Sequence, residues 1–236
     1  MGSHGFRMTP GAGLSRGRLW VSAVALTLVI LYVVGEAITA LAWSRAPYNW
    51  ADNYISDLGV PECVELDRTV CSPLFWLMDA TFVLTGLLAL VALVALWPVL
   101  AGWRRIIAVP TVLYAIGIIM VGVFPGSFAE NIGGDATRAL LHSVGALLAI
   151  GVGNLMVLTG GIIAWRSNRG YAVVSIILAA TGIAAIVLMQ TGNDLGLGRG
   201  GIERMTVYPI VAWLVATGLS LIYVAVNAHG SRRDGH

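Results

Sequence analysis

No lysine occurs anywhere in this 236-residue chain, and all fourteen basic residues are arginine. No side chain can therefore form a Schiff base or act as an amine general base. Charge of either sign is scarce, at 11% of residues, against about a quarter in ordinary soluble domains. Together with 58% hydrophobic residues and a mean hydropathy of +0.84, that scarcity excludes a soluble globular domain. Histidine is limited to four positions. Only His142 falls within the apolar sequence, while His4, His229 and His236 lie in the tails or at their edge. A three-histidine zinc centre is thereby excluded, and we expect no metal and no cofactor. The twenty-nine glycines are scattered through apolar runs rather than gathered with polar residues, so they do not signal disorder.

Long apolar runs are what the chain has in abundance. A helix needs about 20 apolar residues to cross a hydrocarbon layer of roughly 30 Å. Six such runs occur, at Leu19–Trp43, Phe75–Pro98, Ile106–Pro125, Ala139–Trp165, Gly170–Gln190 and Thr206–Ala228. The expected fold is all-α, a polytopic membrane bundle of six helices spanning 19–228, with a flexible tail at 1–18, a long loop at 44–74 and a second tail at 229–236. The remaining segments are too short for a second domain of typical size. Arg16 and Arg18 precede the first run as they would in a secretory signal, but about 25 apolar residues without a small-x-small site favour an uncleaved span. Gly196-Leu197-Gly198-Arg199-Gly200-Gly201 follows a span rather than a strand, so it reads as a flexible turn and not as a dinucleotide loop.

Short cytoplasmic loops retain arginine. Arg7, Arg16, Arg18, Arg104, Arg105, Arg166, Arg169, Arg232 and Arg233 all fall on one side. The other side holds Arg45, Arg68, Arg138, Arg199 and Arg204 with nearly all the acids: Asp52, Asp57, Glu62, Glu65, Asp67, Asp79, Glu130, Asp135, Asp194 and Glu203. This predicts cytoplasmic termini and extracytoplasmic acidic loops, in an integral protein of a bacterial plasma membrane. Cys63 and Cys71 lie in the loop at 44–74, placed outside by this count. There an oxidising compartment favours a disulfide. Free thiols or a zinc site are the alternatives, although no neighbouring histidine completes a zinc site. The absence of Cys-x-x-Cys argues against redox catalysis.

Ionisable residues within spans point to function by default. Glu36 lies seven residues before the outer end of the first span, roughly 10 Å deep at 1.5 Å per residue. Asp79 is four residues into the second span and His142 three into the fourth, both counted from outside. Gln190 ends the fifth span in the same layer, and Glu203 and Arg204 introduce the sixth. His142 shares a helix face with Gly145, Ala149 and Gly153, a small-residue stripe suited to close packing in lipid. That face points His142 into the bundle, whereas the faces carrying Glu36 and Asp79 are less decisive. Asn154, at mid-depth, reads as a helix–helix hydrogen bond or as part of a path. Each group also has a plain structural reading: Asp79 at a positive helix end, Glu203 with Arg204 as an interfacial ion pair, and His142 bonded to a carbonyl.

Asn53-Tyr54-Ile55-Ser56-Asp57-Leu58-Gly59 is the most distinctive short motif. It resembles the N-x-I-S-D/E-L-G signature of the six-span membrane family known as domain of unknown function 998. Phe124-Pro125, His142-Ser143-Val144-Gly145-Ala146 and Glu203-Arg204 also resemble that family's pattern, so the resemblance extends from Leu19 onward. More distantly, the motif followed by Glu62-Cys63 is similar to the eukaryotic Frag/DRAM/Sfk group, which is linked to lipid-anchor remodelling, autophagy and lipid asymmetry. Leu58 stands where that group often has Thr. The resemblance implies a fold and a place of interest but no reaction. Physically, Ser56 or Asp57 can accept backbone N–H bonds where a short interfacial helix begins, and Gly59 permits the turn that follows.

Three functional classes remain open. The first is a protein that binds or modifies a membrane lipid in a polar pocket facing the outer leaflet. Its catalytic candidates are His142, Asp57 and Asp79, and its binding candidates are Asn53, Ser56, Glu36, Arg138, Glu203 and Arg204. The second is a non-enzymatic scaffold packing against another membrane protein through Gly/Ala faces. The third is a cation-coupled carrier using Glu36 and Asp79, for which broken-helix repeats are lacking. None calls for a nucleic-acid partner.

Overall fold

The computed structural model describes residues 14–65, 69–126 and 135–233. The tail before Leu14, Asp67 and Arg68 of the long loop, Glu130, and the last three residues lie outside this set. Among the described residues, six helices are long and apolar enough to cross a bilayer: Arg16–Leu41, Phe75–Val99, Arg104–Val123, Ala136–Ala164, Arg169–Thr191 and Gly198–Asn227. They are called spans one to six below. Helix is the conformation such segments must take, because hydrocarbon offers no partner for a backbone N–H or C=O left unpaired.

The spans form a closed ring. Each packs on the next in sequence, and span six returns to pack along span one. Small residues set the distances. A side chain at Gly117 of span three would strike the backbone of Gly145 and Ala149 in span four. One at Gly218 of span six would strike the backbone of Ala23 and Thr27 in span one. Apolar side chains such as Leu41, Val94 and Ile177 face outward, as expected of a surface that meets lipid.

Breaks, a wider turn or prolines mark several spans, span three among them with Pro110 within it. Span one is broken at Val29–Ile30, between helices Arg16–Leu28 and Leu31–Leu41, where N–H groups turn to carbonyls three residues back. Span four contains a π-helical stretch, Leu147–Val152. Span six carries Pro209 within it, whose ring removes an N–H and crowds the preceding turn. There Asn154 of span four donates to the Thr206 carbonyl at 2.9 Å and to its own Ile150 carbonyl at 2.9 Å. Span six also begins at Gly198 rather than at Thr206 as expected, so the glycine-rich stretch supplies its first turn. The reason lies in the long loop: Gly200 and Gly201 donate their N–H groups to the Ala51 carbonyl at 2.7 and 3.2 Å, which satisfies donors that a helix start otherwise leaves open.

The loop between spans one and two folds back into the ring. Its turn Ser56–Gly59 is 3-10 helical, and Ile55, Leu58 and Val60 are buried. Strands β1 (Val64–Glu65) and β2 (Thr69–Val70) form a small antiparallel hairpin with Val64 opposite Val70. Cys63 and Cys71, eight residues apart, are joined by a disulfide at its base. A loop this short gives a modest gain by chain entropy, so Cys71→Ser is expected to destabilise the hairpin by about 2–3 kcal/mol. Limited proteolysis of the loop, with and without reductant, measures the change. Equal cleavage rates in both conditions would refute it.

Candidate functional site

The residues singled out in the sequence gather at the end of the ring that carries the disulfide, in three groups. The innermost is a buried knot around Arg204. Its Nε and Nη2 both lie 3.0 Å from Glu36 Oε1. Nη1 donates to the carbonyls of Trp50, Asn53 and Gly200 at 2.9–3.1 Å, and Nη2 to the Tyr48 hydroxyl. The guanidinium also stacks on Trp50 and Tyr48, at 4.9 and 5.4 Å from the ring centroids. Tyr208 completes the knot by donating to Glu36 Oε2 at 3.1 Å. Burial pushes the Tyr48 hydroxyl well above its ordinary range, so it stays protonated and donates to the Tyr54 carbonyl at 2.8 Å. Glu36 is fully buried, which resolves the ambiguity of its helix face.

One expectation is overturned here. Arg204 pairs with Glu36 of span one, 168 residues away in sequence, and not with adjacent Glu203. Consecutive residues in a helix point about 100° apart, so the two side chains leave span six in different directions. Glu203 instead accepts a hydrogen bond from the Ile55 N–H. This fixes the start of the Ser56–Gly59 turn against span six.

The second group is the motif segment. Asp57 accepts from the Tyr54 N–H at 2.9 Å and from Asn53 Nδ2 at 3.3 Å. Its carboxylate thus reaches back over the turn. Asn53 also donates to the Thr69 carbonyl at 3.0 Å and accepts from the Asn49 N–H at 3.1 Å, tying the motif to β2. Ser72 Oγ holds the Leu58 carbonyl at 2.6 Å. Gly59 keeps an ordinary backbone. Its requirement is one of space, since a Cβ there would lie 2.3 Å from Asp79 Oδ1. Asp79 therefore sits beneath Gly59. Arg138 of span four pairs with Glu62 of the loop.

The third group surrounds a cavity of about 450 Å³ inside the ring, within the range of small-molecule sites. Asp57, Ser56, His142 and Glu203 line it; Glu36, Asn53, Asp79, Arg138 and Arg204 do not. The motif segment Tyr54–Asp57 roofs it, and Tyr32, Phe82, Tyr114, Ile118, Val207 and Ile210 form apolar walls. His142 Nδ1 lies 2.8 Å from the Phe124 carbonyl. A carbonyl can only accept, so Nδ1 carries a proton, and in the neutral tautomer Nε2 would be the acceptor nitrogen.

The cavity has a side opening. Spans four and five touch where Gly161 meets Ala172 and Ser175, and where Gly182 meets Asn154. Toward the disulfide end helix Ala136–Ala146 of span four no longer packs on span five, and Ser143, Leu147 and Gln190 line the cavity and are exposed. Leu147, 66% exposed, opens the π-helical stretch. The wider turn of a π-helix is a common feature of functional sites.

Sequence reasoning missed the tyrosines. Tyr208 had a usable signal, because it lies four residues after Arg204 and so shares its helix face. Tyr48 and Trp50 had none, since a loop has no period from which to read facing.

Comparison with known proteins adds a family without an activity. A family model described as "Protein of unknown function (DUF998)" matches residues 25–220. No curated protein and no solved structure matches the chain.

Proposed function

The chain belongs to the DUF998 family of proteins of unknown function, and we propose that it binds a membrane lipid in the cavity beneath the Tyr54–Asp57 roof. The observation that carries this reading is the side opening: residues that line the cavity between spans four and five are also exposed. Such a passage suits a ligand that arrives within the bilayer. The mixed lining matches an amphipath, with carboxylates and an imidazole near the roof and aromatic and aliphatic walls elsewhere. Nine of the fourteen arginines lie toward the opposite end of the spans, and the positive-inside rule then supports a cavity in the outer leaflet.

His142, Ser56 and Asp57 around one cavity also favour a second reading, in which the bound lipid is modified by acid–base chemistry. Binding is tested first. Protein purified in mild detergent is expected to retain about one lipid per chain by native mass spectrometry. Ala146→Trp, which places an indole in the cavity, is expected to lower that occupancy about tenfold, because a filled pocket loses most of its contacts with the ligand. Absence of retained lipid, or unchanged occupancy in the variant, would refute the reading. Turnover of a labelled lipid by the parent and its loss in His142→Ala would establish the second reading.

A further inference from the structure

Deepening the lipid reading, we propose that the headgroup held in this cavity carries a positively charged amine or quaternary ammonium. Among the described residues, the polar part of the lining contains two carboxylates, Asp57 and Glu203, and no arginine, and the chain has no lysine. A phosphate alone would meet no permanently charged cation among the described lining residues. Glu203 is 9% exposed, and a carboxylate so buried is costly without a compensating partner. Its hydrogen bond comes from the Ile55 N–H, and its neighbour Arg204 is bonded to Glu36, Tyr48 and three carbonyls instead. The remaining surroundings suit a cation as well. Tyr32, Phe82 and Tyr114 line the same space, with Tyr32 and Phe82 rings 5.7 Å apart and tilted by 57°. Aromatic faces beside a buried carboxylate are the combination that recognises ammonium groups.

The proposal rests on the lipid reading, and the experiment separates the two. Photocrosslinking diacyl lipids with identical chains and phosphocholine, phosphoethanolamine, phosphoglycerol or bare phosphate headgroups are added in equal trace amounts to nanodiscs containing the full chain. Labelled peptides from spans four and five are then quantified. The ammonium-bearing probes are expected to label about tenfold more than the other two, as a desolvated cation–π and ion-pair site would provide. Glu203→Gln retains an acceptor for Ile55, and it is expected to bring that ratio near one. Equal labelling by all four probes on the unaltered protein would overturn the headgroup assignment and leave the lipid cavity standing. No labelling of cavity residues by any probe would overturn both. A ratio that survives Glu203→Gln would remove Glu203 from the site. The ranking on the unaltered protein decides the headgroup whether or not the variant folds.

Discussion

Replacing Arg204 by methionine is expected to destabilise the protein by about 3–5 kcal/mol, the usual cost of leaving one member of a buried ion pair without its partner. Glu36 would remain fully buried with only Tyr208 donating to it. The carbonyls of Trp50, Asn53 and Gly200 would lose the donor that draws them together. Equilibrium unfolding in mixed micelles gives the magnitude. The double variant with Glu36→Gln is expected to be more stable than the sum of the single effects, because the uncompensated charge is gone. A loss below about 1 kcal/mol, or strict additivity, would show that the pair contributes little, as exposed ion pairs do.

Gly200→Ala is expected to cost about 1–3 kcal/mol or more, the range for forcing an added group into a packed site. A Cβ at Gly200 would lie 2.1 Å from the Asn53 carbonyl oxygen and 3.0 Å from that of Ala51. Both are backbone atoms with other duties. The Asn53 oxygen accepts from Arg204 Nη1 at 3.1 Å, and the Ala51 oxygen holds the first turn of span six. The methyl group therefore cannot be accommodated by turning a side chain aside. Gly192→Asn provides the contrast: Gly192 has φ +69° with open space around it. There asparagine, which tolerates the left-handed region, is expected to cost less than about 1 kcal/mol. Thermal unfolding of the two variants side by side gives the comparison, and equal losses would refute the steric argument.

These two positions show where the sequence was readable. The six spans were legible because lipid imposes a local requirement, a continuous apolar helix, that each segment meets without reference to the others. Asn53–Gly59 stood out as a motif, but its use as a roof was not legible, since that depends on Asp57 folding back on Tyr54 and on Glu203 reaching Ile55. The start of span six was misplaced by eight residues because its glycines and charged pair resemble a turn. A carbonyl from another loop, at Ala51, makes them a helix start.

By itself, the sequence determined a lysine-free, six-span membrane protein with its acids concentrated at one end, because composition and apolar run length act residue by residue. Tertiary structure alone decided that Arg204 belongs to Glu36 and that Asp57, His142 and Glu203 share one cavity while Asp79 lies outside it. Those outcomes depend on the closing of span six onto span one and on the divergence of spans four and five. The first is set by small-residue contacts between helices far apart in the chain, Gly218 against Ala23 and Thr27, which no local pattern encodes.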